Sequence, residues 1–323
     1  MTNCESELPK FKGNGNINAQ EAESSGEENV LNELSGNDVR TIRGNEVKVF
    51  DDRVVKYVYS EQEVINLELL QGHSQEIAEA GIRIPTIIQK DPDKGILTLT
   101  KLPFGKFPTT SEYFGEGSHD HIQPLHAISR LRAVCNDVGI SALLRQYGDN
   151  NDYAHFINLV NRQSTMQTAP YIDKFLDQVT RLSSNFPSLP RVVAHRDYTP
   201  ANIRAVENYG CIMLDMTTFG VSTYGADEGR WYVHHVLDSD KQREILITTQ
   251  NLNPFGIQGD LAFLLMVGMR SARECKMLEE SSYYDRHLQN EFSDAERMSR
   301  FKGRLKNALT EQLSWSSENL KQF

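Results

Sequence analysis

Cysteine is scarce and scattered: four residues in 323, namely Cys4, Cys135, Cys211 and Cys275, with no CxxC pair and no cysteine–histidine cluster. That pattern excludes a disulfide scaffold and a structural zinc site, and it makes reduced thiols in a cytoplasmic protein the expected state. Long apolar runs are missing as well. The strongest, Leu261–Met269 (LAFLLMVGM), is well short of the roughly 20 residues that a membrane span needs. The opening MTNCESELPK has no apolar core of the kind a signal peptide carries. Nor is there an excess of positive charge, since 34 Lys and Arg against 44 Asp and Glu leave a net charge of -10. An acidic surface repels phosphate backbones, so nucleic acid and membranes are excluded as natural partners and a cationic small molecule is favoured. No GxSxG elbow is present, which argues against Ser/His/Asp hydrolysis, and no internal repeat appears.

What remains is the composition of a folded domain, with 39% hydrophobic and 24% charged residues. Residues 1–40 stand apart: eight acidic residues against three basic ones, with Gly, Asn and Ser and few apolar side chains, predict a disordered acidic tail. Order is expected from Thr41. Asn45–Phe50 and Val54–Tyr59 flank the polar turn Asp51–Arg53 and predict an antiparallel hairpin. Ser60 with Glu63 three residues on has the signature of a capping box, opening a helix with a break near Gly72. Two further strands follow, Ile84–Gln89 and Gly95–Thr100, around the turn DPDKG. This β-β-α-β-β order predicts a small sheet with one packed helix over residues 41–102. Residues 103–323 read differently: a polar loop at 106–121, helices at Ile122–Val138, Tyr153–Asn161 and Tyr171–Leu182, a short strand at Arg191–Ala194, then mostly helix beyond residue 225.

Chemistry concentrates in His195–Asp215. A short apolar strand delivers Asp197 onto a loop stiffened by Pro200, Asn202 follows five residues later, and a hairpin with an NYG turn returns the chain to Asp215. Two carboxylates and one amide would then face one spot from two loop arms. Mg²⁺ takes few protein oxygens and completes its shell with water and phosphate, and phosphoryl transfer uses a carboxylate to orient and deprotonate a hydroxyl. Asp197 suits the base, while Asn202 and Asp215 suit the metal.

HRD-x4-N, with the 13-residue step from Asn202 to Asp215, resembles the catalytic segment of the aminoglycoside phosphotransferase and choline kinase-like family within the protein-kinase-like superfamily. The resemblance covers about residues 44–235. It implies an α+β bilobal fold with a small β-rich N-terminal lobe, a hinge near residue 102 and a larger, mainly helical C-terminal lobe. It also implies ATP and Mg²⁺ as cofactors and transfer of the γ-phosphoryl group to a hydroxyl of a small molecule. Lys56 stands where the family places the lysine on the α/β-phosphates, and Glu63, with Glu68 as the other candidate, where it places that lysine's partner. Lys101 and Leu102 match the adenine hinge. Asp227, Glu228 and the helical insert 106–182 are candidates for the acceptor pocket, whereas His195 is expected to prop its loop. His234 and His235 read as core or surface residues, because adjacent helical positions point to different faces and do not suit one metal. Departures are visible too. GxGxxG is missing, DDR forms the first turn, and Met216-Thr217 follows Asp215 where an aromatic is usual. They leave open a catalytically inactive kinase-like nucleotide-binding or scaffold protein. Neither an APE-like segment nor a long activation loop occurs, which favours a small-molecule acceptor over a protein.

Overall fold

In the computed structural model, which describes residues 38–42, 45–57, 59–105, 108–117, 120–147, 168–280, 282–292 and 294–323, the chain opens with three antiparallel strands rather than two. They are β1 (Asp38–Ile42), β2 (Asn45–Val49) and β3 (Arg53–Tyr57). The expected acidic tail lies outside the described residues as far as 37, and its last three residues start β1. Val39, Thr41 and Ile42 supply that segment with β-branched residues, and it pairs with β2 from Asp38↔Val49 to Ile42↔Asn45. The polar turn Asp51–Arg53 therefore joins the second and third strands. Lys56 lies on the third.

Helix α1 (Glu61–Gln71) ends at Gly72, and α2 (Ser74–Glu79) follows, so the break near Gly72 is present. Buried residues of α1 include Glu63, Asn66, Leu67 and Leu70, an i, i+3, i+4, i+7 stripe whose first two members are polar. After β4 (Ile82–Arg83) come β5 (Ile87–Asp91) and β6 (Ile96–Thr100). The five-stranded sheet has the order β1-β2-β3-β6-β5 and is antiparallel throughout.

After β6 come α3 (Thr110–Tyr113), α4 (Gln123–Asp137) and α5 (Ala169–Leu182), while the expected helix at Tyr153–Asn161 falls outside the described residues. Pro124 and Pro170 occupy the first turns of α4 and α5, where the missing N–H costs nothing. Strands β7 (Arg191–Ala194), β8 (Ile203–Val206), β9 (Gly210–Met213) and β10 (Gly220–Thr223) follow. β8 and β9 form the expected hairpin, and β4 of the small lobe joins β9 in parallel, which stitches the lobes together. The chain ends in helices α6 (Ala226–Val233), α7 (Ser239–Leu252), α8 (Ile257–Glu280), α9 (Ser282–Glu291) and α10 (Ala295–Asn319).

The apolar run Leu261–Met269 is the buried centre of α8, packed against α6 and α10. Among the described residues no helix is long and apolar enough to cross a membrane. A continuous core joins α1 and β6 to β9, α4 and α6, with Trp231 and Tyr198 fully buried in it. Their polar atoms are satisfied: Trp231 Nε1 donates to the His121 carbonyl at 2.8 Å, and the Tyr198 hydroxyl donates to the Pro124 carbonyl. The loop that carries Asp197 is thus anchored at Tyr198 to the large-lobe core.

Candidate active site

Lys56 shares a sheet face with its cross-strand partners Val47 and Leu97, both buried. From that face its Nζ donates to Glu63 Oε1. Ser60 makes no side-chain cap, so the predicted capping box is not formed. The Glu63 carboxylate, 3% exposed, is held by a cation instead, because an ammonium partner outweighs one backbone amide at a buried position. Burial raises the Glu63 carboxyl above its ordinary value, Lys56 opposes that shift, and the charge of Asp215 adds to it. Asp215 therefore lies within electrostatic reach of the small-lobe ion pair. Glu68, the other candidate, pairs with Lys90 on the surface at 2.5 Å.

Asn66, one turn beyond Glu63 on the same stripe, donates from Nδ2 to the carbonyls of Met216 at 2.6 Å and Phe219 at 3.0 Å. These two bonds dock α1 on the segment that follows Asp215. Sequence reasoning missed Asn66, although its i+3 spacing from Glu63 places it on the face that must meet the other lobe.

On the large-lobe side, Asn202 Nδ2 donates to Asp197 Oδ2 at 2.8 Å and to the Asp197 carbonyl at 3.1 Å. With its NH₂ committed there, the Asn202 Oδ1 is left to face elsewhere, as a cation ligand must. The Leu214 amide donates to the Asn202 carbonyl at 2.8 Å, so the two arms stay paired up to the residue before Asp215. Asp215 has φ 54°, a left-handed conformation that costs about 1–2 kcal/mol for a residue with a Cβ. Its Oδ1 accepts from Thr217 Oγ1 at 2.5 Å and from the Thr217 amide, which fixes the carboxylate and leaves Oδ2. The unusual Met216-Thr217 pair thus has a local use: Thr217 orients Asp215, and Met216 is buried in the core.

His195 is fully buried, and its Nε2 donates to the Leu214 carbonyl at 2.7 Å, while Nδ1 accepts from the Asp197 amide at 3.3 Å. One ring therefore ties the strand before Asp197 to the strand before Asp215, the propping role expected for it. Asp227 is also fully buried and accepts from the amides of His195 at 2.9 Å and Arg196 at 2.8 Å. Burial raises its carboxyl above the ordinary range, against Arg132 and together with Glu228. Glu228 is bound by Arg132 through Nη1 and, at 3.2 Å, Nη2. Neither acid lines an open pocket. Asp227 holds the loop from behind through those two amides, and Glu228 holds Arg132, whose Nε donates to the Val193 carbonyl at 2.8 Å. Of the two readings left open for His234 and His235, core or surface, the structure places both in the core, fully buried.

Arg230 was not visible as a site residue. Its Nη1 donates to Asp197 Oδ1 at 2.6 Å and to the Arg196 carbonyl. Arg196 has φ 64° and lays its guanidinium on the Tyr147 ring, 3.6 Å from the centroid. At the hinge, the Lys101 amide is used by the Asp52 carbonyl at 3.1 Å, and the Leu102 carbonyl accepts from Phe104 at 2.7 Å. No described hydrogen bond engages the Lys101 carbonyl or the Leu102 amide. The Asp52 contact places the DDR turn at the hinge end of the sheet. The β1–β2 connection, residues 43–44 with Gly44, lies outside the described residues.

Among the described residues no group of three His, Cys, Asp or Glu side chains is placed to hold a metal. An amide and a carboxylate with free oxygens are the sparse hard-oxygen set that Mg²⁺ takes beside phosphate.

Neither a protein-family model nor a curated protein matches the chain. Solved structures do. A choline/ethanolamine kinase family protein from Mesorhizobium loti is 13% identical, covering 88% of this chain and 95% of its own, with a TM-score of 0.51. A spectinomycin phosphotransferase in complex with ADP and spectinomycin is 14% identical over 85% of this chain and 93% of its own, also at 0.51. An aminoglycoside 2'-phosphotransferase in complex with GDP is 15% identical over 88% of this chain and 96% of its own, at 0.50. The likeness shows the fold: the α+β bilobal architecture of the kinase-like phosphotransferases.

Proposed function

We propose that this fold carries an ATP-dependent phosphotransferase that moves the γ-phosphoryl group to a hydroxyl of a small molecule in the cytoplasm. The observation that supports the reading is a buried lysine–glutamate pair in the small lobe and an Asp-Asn-Asp set in the large lobe, joined by the Asn66 bonds to the segment after Asp215. Fold alone does not establish activity, so the weight rests on this geometry.

The roles follow from position. Lys56, held by Glu63, meets the α- and β-phosphates of ATP, and the Lys101 carbonyl and Leu102 amide meet the adenine edge. Asn202 Oδ1 and Asp215 would hold Mg²⁺, which would offset charge on the transferring phosphoryl oxygens. Asp197 orients the acceptor hydroxyl and takes its proton, and Arg230 and Asn202 fix the carboxylate in place.

A second reading has its own observation. Arg230 and Asn202 each occupy an oxygen of Asp197, and a base so engaged suits a kinase-like nucleotide-binding protein that transfers nothing. Turnover separates the two. With Mg–ATP and a library of hydroxylated metabolites, ADP release by the wild type should fall about 10³-fold in Asp197→Asn, with Mg–ATP binding unchanged. Equal rates in the two proteins, or no transfer to any acceptor, would favour the scaffold.

A further inference from the structure

The acceptor side of Asp197 is built from two helices that cross unusually closely. A Cβ on Gly225, which has φ +84°, would lie 2.7 Å from Phe263 Cα, and one on Gly229 would lie 2.9 Å from Met266 Cβ, so α6 rests almost directly on α8. Arg230, next to Gly229 on α6, and Arg270, one turn beyond Met266 on α8, are thereby electrostatic neighbours. Both guanidiniums are withdrawn from water, each side chain 12% exposed.

Their hydrogen bonds are incomplete. Arg230 uses Nη1 for Asp197 and the Arg196 carbonyl, while its Nε and Nη2 donate to no described group. Arg270 Nη2 reaches Glu274 at 2.6 Å and His234 Nε2 at 3.3 Å, and its Nε is buried with no hydrogen-bond partner. A buried guanidinium donor without an acceptor is costly, and planar oxyanions are the groups that fit its fork. Burial, and then the neighbouring Arg270, lower the Arg230 guanidinium to about 10, against the opposing pull of Asp197. An anion placed between the arginines would relieve that repulsion. His234 supplies no such charge: burial and both arginines hold its ring well below the ordinary histidine value, so it is neutral.

Among the described residues, the buried acids around these arginines already have partners. Asp227 serves two backbone amides, Glu228 serves Arg132, and Glu274 is shared by Arg270 and the Tyr284 hydroxyl. From these contacts we infer that the acceptor is a small hydroxylated anion, a carboxylate or phosphate monoester, whose oxyanion is held by Arg230 and Arg270 while its hydroxyl lies at Asp197. The inference rests on the phosphotransferase reading and reverses the preference for a cation drawn from the net charge of -10, because local charge and not the total decides binding at a desolvated site.

The test uses the full chain loaded with Mg²⁺ and a non-hydrolysable ATP analogue, with four probes that share a hydroxyl: glycerate, glycerol 3-phosphate, glycerol and choline. Thermal shift and calorimetry should show saturable binding of the anionic pair and none of glycerol or choline, and comparison of glycerate with glycerol 3-phosphate tells carboxylate from phosphate. Arg270→Gln should weaken the bound anion at least tenfold and leave the analogue's affinity unchanged. If that variant folds poorly, Arg270→Lys, which keeps the charge and the Glu274 pairing but loses the fork, should weaken it by about threefold. Choline binding with both anions inert, or anion binding indifferent to Arg270, overturns the inference. So does an Arg270→Gln protein that loses affinity for the ATP analogue but not for ADP, because the arginines would then grip the γ-phosphate. A chain that binds the analogue and ignores the anions refutes this inference alone, whereas a chain that binds no Mg–nucleotide refutes the phosphotransferase reading.

Discussion

The candidate site contains two cation–carboxylate pairs of opposite construction. In the small lobe, Lys56 and Glu63 depend on each other: Glu63 is almost fully buried, and no other described cation pairs with it. In the large lobe, Asp197 divides its oxygens between Arg230 and Asn202, and Arg230 also holds the Arg196 carbonyl. A pair with a single partner on each side is fragile, since deleting one member strands the other in a desolvated place. A networked pair distributes the loss. The difference suits the roles proposed for them, a lysine that must be free to meet phosphates and a base that must not move.

Three substitutions would break or sharpen that contrast. Lys56→Met leaves Glu63 buried without a counter-charge and should cost about 3 kcal/mol in urea unfolding. The double variant with Glu63→Leu should recover most of it, and a simple sum of two losses would show that the pair is not the isolated unit described here. Asn66→Ala should cost about 2 kcal/mol, because two carbonyls after Asp215 lose their donor. It should also raise the KM for ATP, since α1 would no longer be docked to the metal segment. Unchanged kinetics with lowered stability would confine Asn66 to packing.

The smallest effect is a pH signature. Asp227 has a raised carboxyl in the folded protein, whereas in the unfolded chain it titrates at about 3.9. Above that pH the unfolded state releases the proton first, so stability contributed by this group is full below it and declines as pH rises toward the folded value. The stability of the wild type relative to Asp227→Asn should therefore shrink over the interval that starts at about pH 3.9 and runs upward. A margin that grows over that interval contradicts the assignment.

Much of the site was legible because its residues lie within one hairpin. His195, Asp197, Asn202 and Asp215 fall inside 21 residues, and strand alternation with an NYG turn is enough to bring the last back beside the others. Lys56 and Glu63 were legible for a similar reason, being separated by one strand end and one helical turn. Arg230 was not. It reaches Asp197 across 33 positions, a further strand and a helix start, and only the close crossing set by Gly225 and Gly229 decides which way it faces. The capping box failed because Glu63 had two possible partners, and only burial of the pair with Lys56 tells them apart. Strand β1 was read as tail because it follows a long acidic stretch, and its order comes from pairing with β2 rather than from its own composition. Asp227 and Glu228 looked like pocket residues because polar residues after a site strand usually face solvent, whereas here both are buried.

The central claim is that Asn202 and Asp215 hold a divalent cation together with the nucleotide. It is met most directly by electron paramagnetic resonance of Mn²⁺, standing in for Mg²⁺, titrated with ATP into wild type and Asp215→Asn, a variant that keeps the oxygen bound by Thr217. The account predicts one Mn–ATP per chain in the wild type and binding weakened at least tenfold in the variant, with an unchanged circular dichroism spectrum. Equal Mn–ATP binding by the two proteins would contradict it.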